Sequence, residues 1–198
     1  MSERKTATPK IALGVTGGIA AYKSAELVRA LVREGCELQV LMTAHAREFI
    51  TPLTLQTLSG RRVLSDAWDL TQGADIQHIS LARDLDLLLV APATADILAK
   101  FAHGTADDLL STFHLAVRGP VAVAPAMNLW MWDHPATQAN LVTLRKRGVQ
   151  VIQPDEGELA CGEEGIGRMA EVERIVATVL PIHGKKKPRG RLKVAGSS

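Results

Sequence analysis

Short apolar runs alternate with longer amphipathic stretches along most of this chain. Five runs have the length of β-strands and are apolar nearly throughout, which is typical of parallel strands whose two faces are both covered. The predicted strands are residues 11–15, 38–42, 87–91, 121–124 and 149–152.

Helices are predicted in the intervals between these strands. In the first interval, apolar residues repeat at helical spacing before Gly35: Ala21, Ala25, Val28 and Val32. Further helices are predicted over residues 94–102, 107–117, 135–147 and 172–180. Repeated strand, helix, strand order predicts a parallel sheet with right-handed crossovers, hence one doubly wound, three-layer α/β domain. Ligands of such domains bind at the carboxyl ends of the strands.

Composition fits one globular domain over residues 1–181, since the chain has 198 residues and 46% of them are hydrophobic. Only two cysteines, Cys36 and Cys161, are present, which suits a reducing compartment better than a disulfide framework. The polar start resembles no signal peptide, and no run reaches the ~20 apolar residues of a membrane span. We therefore expect a cytoplasmic protein without a membrane partner.

The formal charge of +2 comes from a basic tail, residues 182–198, which reads as a Pro/Gly linker or disordered segment. Without the six lysines and arginines of the tail, 17 basic residues face 21 acidic ones. The rest of the chain gives no electrostatic reason to expect nucleic acid. The sequence indicates no metal site either.

Two glycines, Gly17 and Gly18, follow the first predicted strand and precede the first helix. Glycines there let a ligand approach backbone N–H groups, although they also serve simple tight turns. The pattern GxxGG differs from the dinucleotide fingerprint GxGxxG, and the second strand ends at Met42 and Thr43 rather than at a ribose-binding acid. A mononucleotide with one phosphate is compatible with this turn.

Polar residues also follow the third and fourth predicted strands. Thr94 can cap the next helix or donate its hydroxyl to a cofactor. Asn128 stands beside Trp130 and Trp132, and core packing would explain the tryptophans but not the amide. An amide can hold a carboxylate without neutralising it, which is useful where that carboxylate must leave as carbon dioxide.

The two cysteines have different surroundings. Cys161 lies in GELACGEEGIGRM, where four glycines favour a mobile loop that brings a thiol to a site. Cys36 follows Gly35 at the start of a strand, so a structural role is expected.

Six segments together resemble the flavin-dependent cysteine decarboxylases: GGIAAYK, QHISLA, APATADILAK, DDLLST, PAMNLWMW and LACGEEGIGRM. The resemblance spans about residues 10 to 181, and it is strongest to members that convert 4′-phosphopantothenoylcysteine to 4′-phosphopantetheine in coenzyme A biosynthesis. It implies a flavodoxin-like fold, bound FMN, and a homotrimer or dodecamer with shared active sites. Many bacterial members continue into a synthetase domain that makes the substrate, so a fused synthetase is a further expectation.

The resemblance also implies roles for individual residues. His78 falls on the family's active-site histidine, Asn128 on its substrate-carboxylate ligand and Cys161 on its proton donor. Substrate contacts are further implied for Arg83, Glu158, Leu159 and Ala160. The implied FMN contacts are Gly17, Gly18 and Ile19, then Thr43, Ala44 and His45, then Thr94, Ala95, Asp96 and Ile97, and finally Ala126. Asp96 and Ile97 depart from the commoner family residues, which are Asn and a hydroxyl residue.

The implied reaction begins with oxidation of the substrate thiol to a thioaldehyde, which accepts the electron pair released with carbon dioxide and gives an enethiol. Reduced FMN and a proton from Cys161 then complete the product. A peptidyl-cysteine decarboxylase would stop at the enethiol and would not need Cys161. A flavin prenyltransferase would leave PAMNLWMW unexplained. A non-catalytic flavin-binding regulatory subunit is the alternative from another functional class.

Overall fold

The computed structural model describes residues 8–65, 81–82, 84–158, 162 and 164–182. Its centre is a parallel sheet of five strands, in the order β2-β1-β3-β4-β5. A separate antiparallel hairpin pairs β6 with β7. The strands are β1 Lys10–Val15, β2 Glu37–Met42, β3 Leu87–Ala93, β4 Val121–Pro125, β5 Gln150–Val151, β6 Asp155–Glu158 and β7 Glu164–Arg168.

Seven α-helices whose ends are both described and two short 3-10 helices connect these strands, and residues 81, 82 and 84 are helical as well. The α-helices are α1 Lys23–Arg33, α2 Pro52–Ser59, α3 Ala95–His103, α4 Leu109–Ala116, α5 Leu129–Asp133, α6 Pro135–Lys146 and α7 Val172–Val179. The 3-10 helices are Ile19–Tyr22 and His45–Glu48.

Local sequence accounts for several helix ends. Gly35 has φ 78° just after α1, a conformation that a side chain would strain. Thr94 accepts a hydrogen bond from the Ile97 N–H at the start of α3. Asp108 forms a capping box with Ser111 at the start of α4.

Both faces of the sheet are covered, as the apolar strands predict. Ile11, Leu13 and Val15 of β1 pack in one core cluster that also contains residues of α1 and α7. Ala12 of β1 faces the opposite cluster, which contains residues of α3, α4 and α6. The doubly wound class is confirmed, and the strand order is the flavodoxin-like one.

All five predicted sheet strands and all five predicted helices are present, with ends that differ by at most a few residues. Besides the short 3-10 helices, three elements were not predicted from sequence: α2, α5 and the β6–β7 hairpin. The hairpin is rich in glycine and glutamate, so its pattern lacks the alternation of a half-buried strand. It forms at both flanks of the glycine-rich segment around Cys161, where a loop alone was expected.

The tail and the domain boundary remain as sequence predictions, because residues 183–198 lie outside the described ranges. Among the residues that the structure does describe, no helix is both long and apolar enough to cross a membrane.

Candidate functional site

A cavity of about 670 Å³ opens at the carboxyl ends of the central strands. Its lining comes from the loops after β1, β3 and β4 and from β7. The chain runs from β1 to β2 on one side and returns to β3 on the other, so strand order reverses here, and ligands bind at such points in open α/β sheets. The described lining residues are Gly17, Gly18, Ile19, Ala20, Tyr22, Lys23, Thr94, Ala95, Ala126, Met127, Asn128, Met131, Gly167, Arg168 and Met169.

The glycine turn after β1 is shaped by close packing on the segment after β2. A Cβ atom at Gly17 would lie 2.4 Å from the Cβ of His45 and 2.8 Å from its backbone carbon. At Gly18 the nearest atom to such a Cβ would be Thr94 Cγ2, at 3.7 Å. Gly17 is therefore required by packing, whereas Gly18 leaves open space beside the cavity.

Thr16, which sequence reasoning missed, ties the first and third loops together. Its hydroxyl donates to the Pro92 carbonyl at 2.7 Å and accepts from the Thr94 N–H at 3.1 Å. The residue is buried. A threonine directly after a buried strand is the only sequence signal it carries.

Thr94 combines the two roles that the sequence left open. Its hydroxyl accepts from the Ile97 N–H at 3.4 Å, which caps α3, and the residue also lines the cavity beside Ala95. The cap fixes the start of α3 against the glycine turn.

Asn128 caps α5, and its side chain is oriented by the helix that it begins. Its Oδ1 accepts from the Trp130 N–H at 2.8 Å. The preceding residue, Met127, donates its N–H to the Gly167 carbonyl at 3.0 Å, which joins this loop to β7. Trp132 is buried in the core and Trp130 is exposed. The neighbourhood of Asn128 is therefore partly core and partly surface.

Seven of the residues predicted at the site line the cavity together: Gly17, Gly18, Ile19, Thr94, Ala95, Ala126 and Asn128. Thr43, Ala44 and His45 are not among its lining residues, although His45 supports Gly17. The Thr43 hydroxyl accepts from the Ala46 N–H at 3.3 Å.

Asp96 and Ile97 also lie off the cavity wall. Ile97 is 1% exposed and packs in the core. The Asp96 carboxylate is 3.5 Å from Lys100, which also contacts Asp107 and Asp108. Burial disfavours the Lys100 cation, but hydrogen bonds to Asp107 and Asp108 outweigh it and hold the pKa of Lys100 above its ordinary value.

Several predicted site residues lie outside the described ranges: His78, Arg83, Leu159, Ala160 and Cys161. Glu158 ends β6, and its backbone alone is described. Cys36 is buried in the core, and burial raises the pKa of its thiol above the ordinary value. A buried, protonated thiol fits the structural role expected for it.

Two cations of the cavity wall, Lys23 and Arg168, were not predicted. Lys23 Nζ lies 3.1 Å from both carboxylate oxygens of Glu171. Arg168 Nη2 donates to Glu171 Oε1 at 3.3 Å. They come from distant parts of the sequence, so only the fold reveals that one carboxylate holds both.

Comparison with known proteins identifies the family of this chain. The family model described as Flavoprotein matches residues 1–182. This chain belongs to the Flavoprotein family. The coenzyme A biosynthesis bifunctional protein CoaBC of Vibrio vulnificus strain YJ016 is 52% identical over 168 residues, which are 85% of this chain and 42% of that protein. The chain thus spans less than half the length of this relative.

Two solved structures extend the comparison. A PPC decarboxylase mutant complexed with pantothenoylaminoethenethiol is 33% identical, with a TM-score of 0.79, covering 88% of this chain and 97% of that one. The FMN-dependent cysteine decarboxylase SpaF is 32% identical, with a TM-score of 0.77 and coverage of 88% and 97%. The resemblance to flavin-dependent cysteine decarboxylases is confirmed.

Proposed function

We propose that this chain is an FMN-dependent decarboxylase that converts 4′-phosphopantothenoylcysteine to 4′-phosphopantetheine in coenzyme A biosynthesis. The observation that carries the proposal is the cavity at the reversal of strand order, where the glycine turn, Thr94 and Asn128 meet. Similarity to CoaBC and to a PPC decarboxylase supports the substrate and the reaction class.

The cavity wall fits FMN in size and chemistry. Its volume of about 670 Å³ lies within the roughly 300–1,000 Å³ usual for ligand sites. The backbone at Gly17 and Gly18 can approach a single phosphate, and Thr94 offers a hydroxyl. Ala126, Met127 and Met169 provide an apolar wall for a flat ring system. Similarity to an FMN-dependent decarboxylase supports this cofactor.

Bound FMN would take two electrons and two protons from the substrate's CH₂–SH group and later return the electrons. The side chains have the remaining tasks. We assign the substrate carboxylate to Asn128, whose amide can hold an anion while leaving its charge intact. Thr16 and Thr94 keep the two cofactor-binding loops in register.

The roles of the undescribed residues belong to this proposal. We assign His78 to deprotonation during thiol oxidation and Cys161 to protonation of carbon in the final step. Arg83, Glu158, Leu159 and Ala160 would complete the substrate site, while Thr43, Ala44, His45, Asp96 and Ile97 would support FMN from behind the wall.

The native assembly is part of the same proposal. We expect a homotrimer or dodecamer with shared active sites, located in the cytoplasm. Because the matched relative is a bifunctional protein, we also expect a fused synthetase domain in the native protein, which would make the decarboxylase substrate.

One experiment separates the candidate functions. The purified protein is incubated anaerobically with 4′-phosphopantothenoylcysteine, and the cofactor and products are identified by mass spectrometry. We expect released FMN, carbon dioxide and 4′-phosphopantetheine. An enethiol as final product would favour the chemistry of a peptidyl-cysteine decarboxylase. A yellow protein that yields no product would indicate a binding subunit, and a protein that cannot be loaded with FMN would overturn the proposal.

A further inference from the structure

The charge of the cavity wall is unbalanced. Among its described residues, Lys23 and Arg168 carry full positive charges and no carboxylate is present. Glu171 lies behind both cations and pairs with each of them. One carboxylate cannot neutralise two cations, so the described part of this cavity wall carries an excess positive charge.

Of the two cations, Lys23 is the more buried and makes the closer contacts with Glu171. Its side chain is 13% exposed, and both Glu171 oxygens lie 3.1 Å from its Nζ. Arg168 is 41% exposed and contacts Glu171 through one nitrogen. A guanidinium has five N–H donors, so this contact uses a small part of its capacity. Arg168 is therefore the cation able to bind a further anion.

The position of Arg168 is set by the hairpin as well as by Glu171. Gly157 has φ 149°, and a Cβ atom there would lie 2.8 Å from Arg168 Nη1. The guanidinium thus lies across the bare backbone of β6. The Glu171 N–H in turn donates to Asp155 Oδ2 at 3.0 Å. Arg168 packs on the backbone of β6 and pairs with Glu171 on one side while it lines the cavity on the other.

We propose that Arg168 binds the phosphate of the substrate and so determines preference for a phosphorylated cysteine derivative. This inference rests on the proposed function, in which two anionic groups already have partners: the FMN phosphate at the glycine turn and the substrate carboxylate at Asn128. The 4′-phosphate at the other end of the substrate is the anion that still has no assigned partner among the described residues. Arginine matches phosphate geometry better than a point charge does.

The chemistry explains why arginine suits one end of the substrate and asparagine the other. The carboxylate must give up its charge as carbon dioxide leaves, so a strong cation there would stabilise the reactant. The phosphate does not change during the reaction, so binding it is uniform: it lowers KM and leaves kcat unaltered.

The test is Arg168→Gln, assayed as FMN-loaded enzyme with 4′-phosphopantothenoylcysteine and with pantothenoylcysteine, which lacks the phosphate. We expect KM for the phosphorylated substrate to rise about 10- to 100-fold. The kcat values, the KM for pantothenoylcysteine and the Kd for FMN should stay within about twofold. Preference for the phosphorylated substrate is then lost.

Arg174→Gln is the matched control, because Arg174 pairs with Asp155 in the same cluster and does not line the cavity. This change removes the same charge, and we expect both KM values to be retained. If the effect of Arg168→Gln came only from the loss of one positive charge near the cavity, both variants would lose preference for the phosphorylated substrate.

The alternative outcomes have distinct signatures. If Arg168→Gln weakens FMN more than riboflavin and raises both KM values equally, the phosphate at Arg168 is that of FMN and the inference is wrong. If it lowers the melting temperature and affects both substrates alike, the role is structural and the inference is again wrong. If the unmodified enzyme turns over neither substrate, the proposed function itself has failed.

Discussion

At the scale of single residues, Gly17 is a position in the cavity wall where the packing leaves no room for a side chain. We predict that Gly17→Ala lowers stability by about 1–3 kcal/mol and reduces FMN loading, because the new methyl group would overlap His45. Gly18→Ala is the control for stability alone, since its methyl group meets nothing closer than 3.7 Å and its φ of −170° is ordinary extended backbone. Thermal unfolding and flavin absorbance measure both effects. Equal melting temperatures of the two variants would contradict the packing argument.

Asn128 allows a substitution that separates its capping role from its binding role. An aspartate side chain could still accept the Trp130 N–H, so Asn128→Asp should keep the start of α5 and the bound FMN. It would bring a negative charge beside the substrate carboxylate, and we expect KM to rise at least about tenfold. Steady-state kinetics with the melting temperature as control test this prediction. An unchanged KM would remove Asn128 from the substrate site.

His114 makes stability depend on pH. Its ring stacks on Phe101 at 3.8 Å, its Nδ1 is buried without a partner among the described residues, and burial together with the Arg147 charge lowers its pKa to about 4. Since the unfolded chain binds the proton more tightly, this contribution to stability is complete above pH ~6.5 and is lost as pH falls toward 4.

We predict that His114→Phe flattens the decline of the melting temperature between pH 6.5 and pH 4, because phenylalanine keeps the ring stack and cannot be protonated. The effect should reach at most about 3 kcal/mol at the acidic end. The exposed residue His103 provides the control, and His103→Gln should decline as the unmodified protein does. Parallel curves for His114→Phe and the unmodified protein would show that other groups cause the decline.

At the scale of elements, the β6–β7 hairpin packs closely against the segment that contains Asn128. A Cβ atom at Gly165 would lie 2.9 Å from Leu129 Cδ2, and Leu129 directly follows Asn128. The Met127–Gly167 hydrogen bond ties the same two segments. Movement of the hairpin should therefore displace the residue assigned to the substrate carboxylate.

We predict that Gly165→Ala costs more free energy in kcat/KM than in unfolding. The reason is that the methyl group pushes the Leu129 side chain and moves Asn128. Adding Leu129→Ala should make room and restore part of the activity, so the two changes should be coupled by more than about 0.5 kcal/mol in a double-mutant cycle. Additive losses would mean that the hairpin and the Asn128 loop act independently.

At the scale of the whole molecule, large apolar side chains are exposed around the cavity. Ile19, Tyr22, Trp130 and Met131 are 48–69% exposed. Exposed apolar groups clustered beside a ligand site are typical of an interface between subunits. They support the expected homo-oligomer with active sites at subunit contacts.

We predict that Trp130→Glu breaks the assembly, because a charge would replace apolar surface at the contact. Leu115 at the end of α4 is exposed to a similar degree, 55% against 69% for Trp130, but its helix contributes no residue to the described cavity wall, whereas Trp130 lies between the lining residues Asn128 and Met131; Leu115→Glu is therefore the control and should keep the native mass. Light scattering after size-exclusion chromatography measures both. A monomeric unmodified protein, or a Trp130→Glu variant with native mass, would contradict this interface.

The sequence by itself determined the layers of this protein and the ends of most of its central elements. Apolar runs such as residues 87–91 are typical of parallel strands with both faces covered, and local signals at Gly35 and Thr94 mark where helices end or begin. Because the loops after parallel strands lie at one edge of the sheet, the order of elements alone predicts Gly17, Thr94 and Asn128 at the same edge.

The tertiary structure decided what surrounds these residues. Contacts between segments far apart in the chain leave no local pattern, so the Thr16 bridge to Pro92 and the packing of Gly17 on His45 could not be predicted. The same holds for Glu171, which pairs with both Lys23 and Arg168, two residues that lie far apart in the sequence. Charge balance depends on distances in space, and a linear sequence does not contain them.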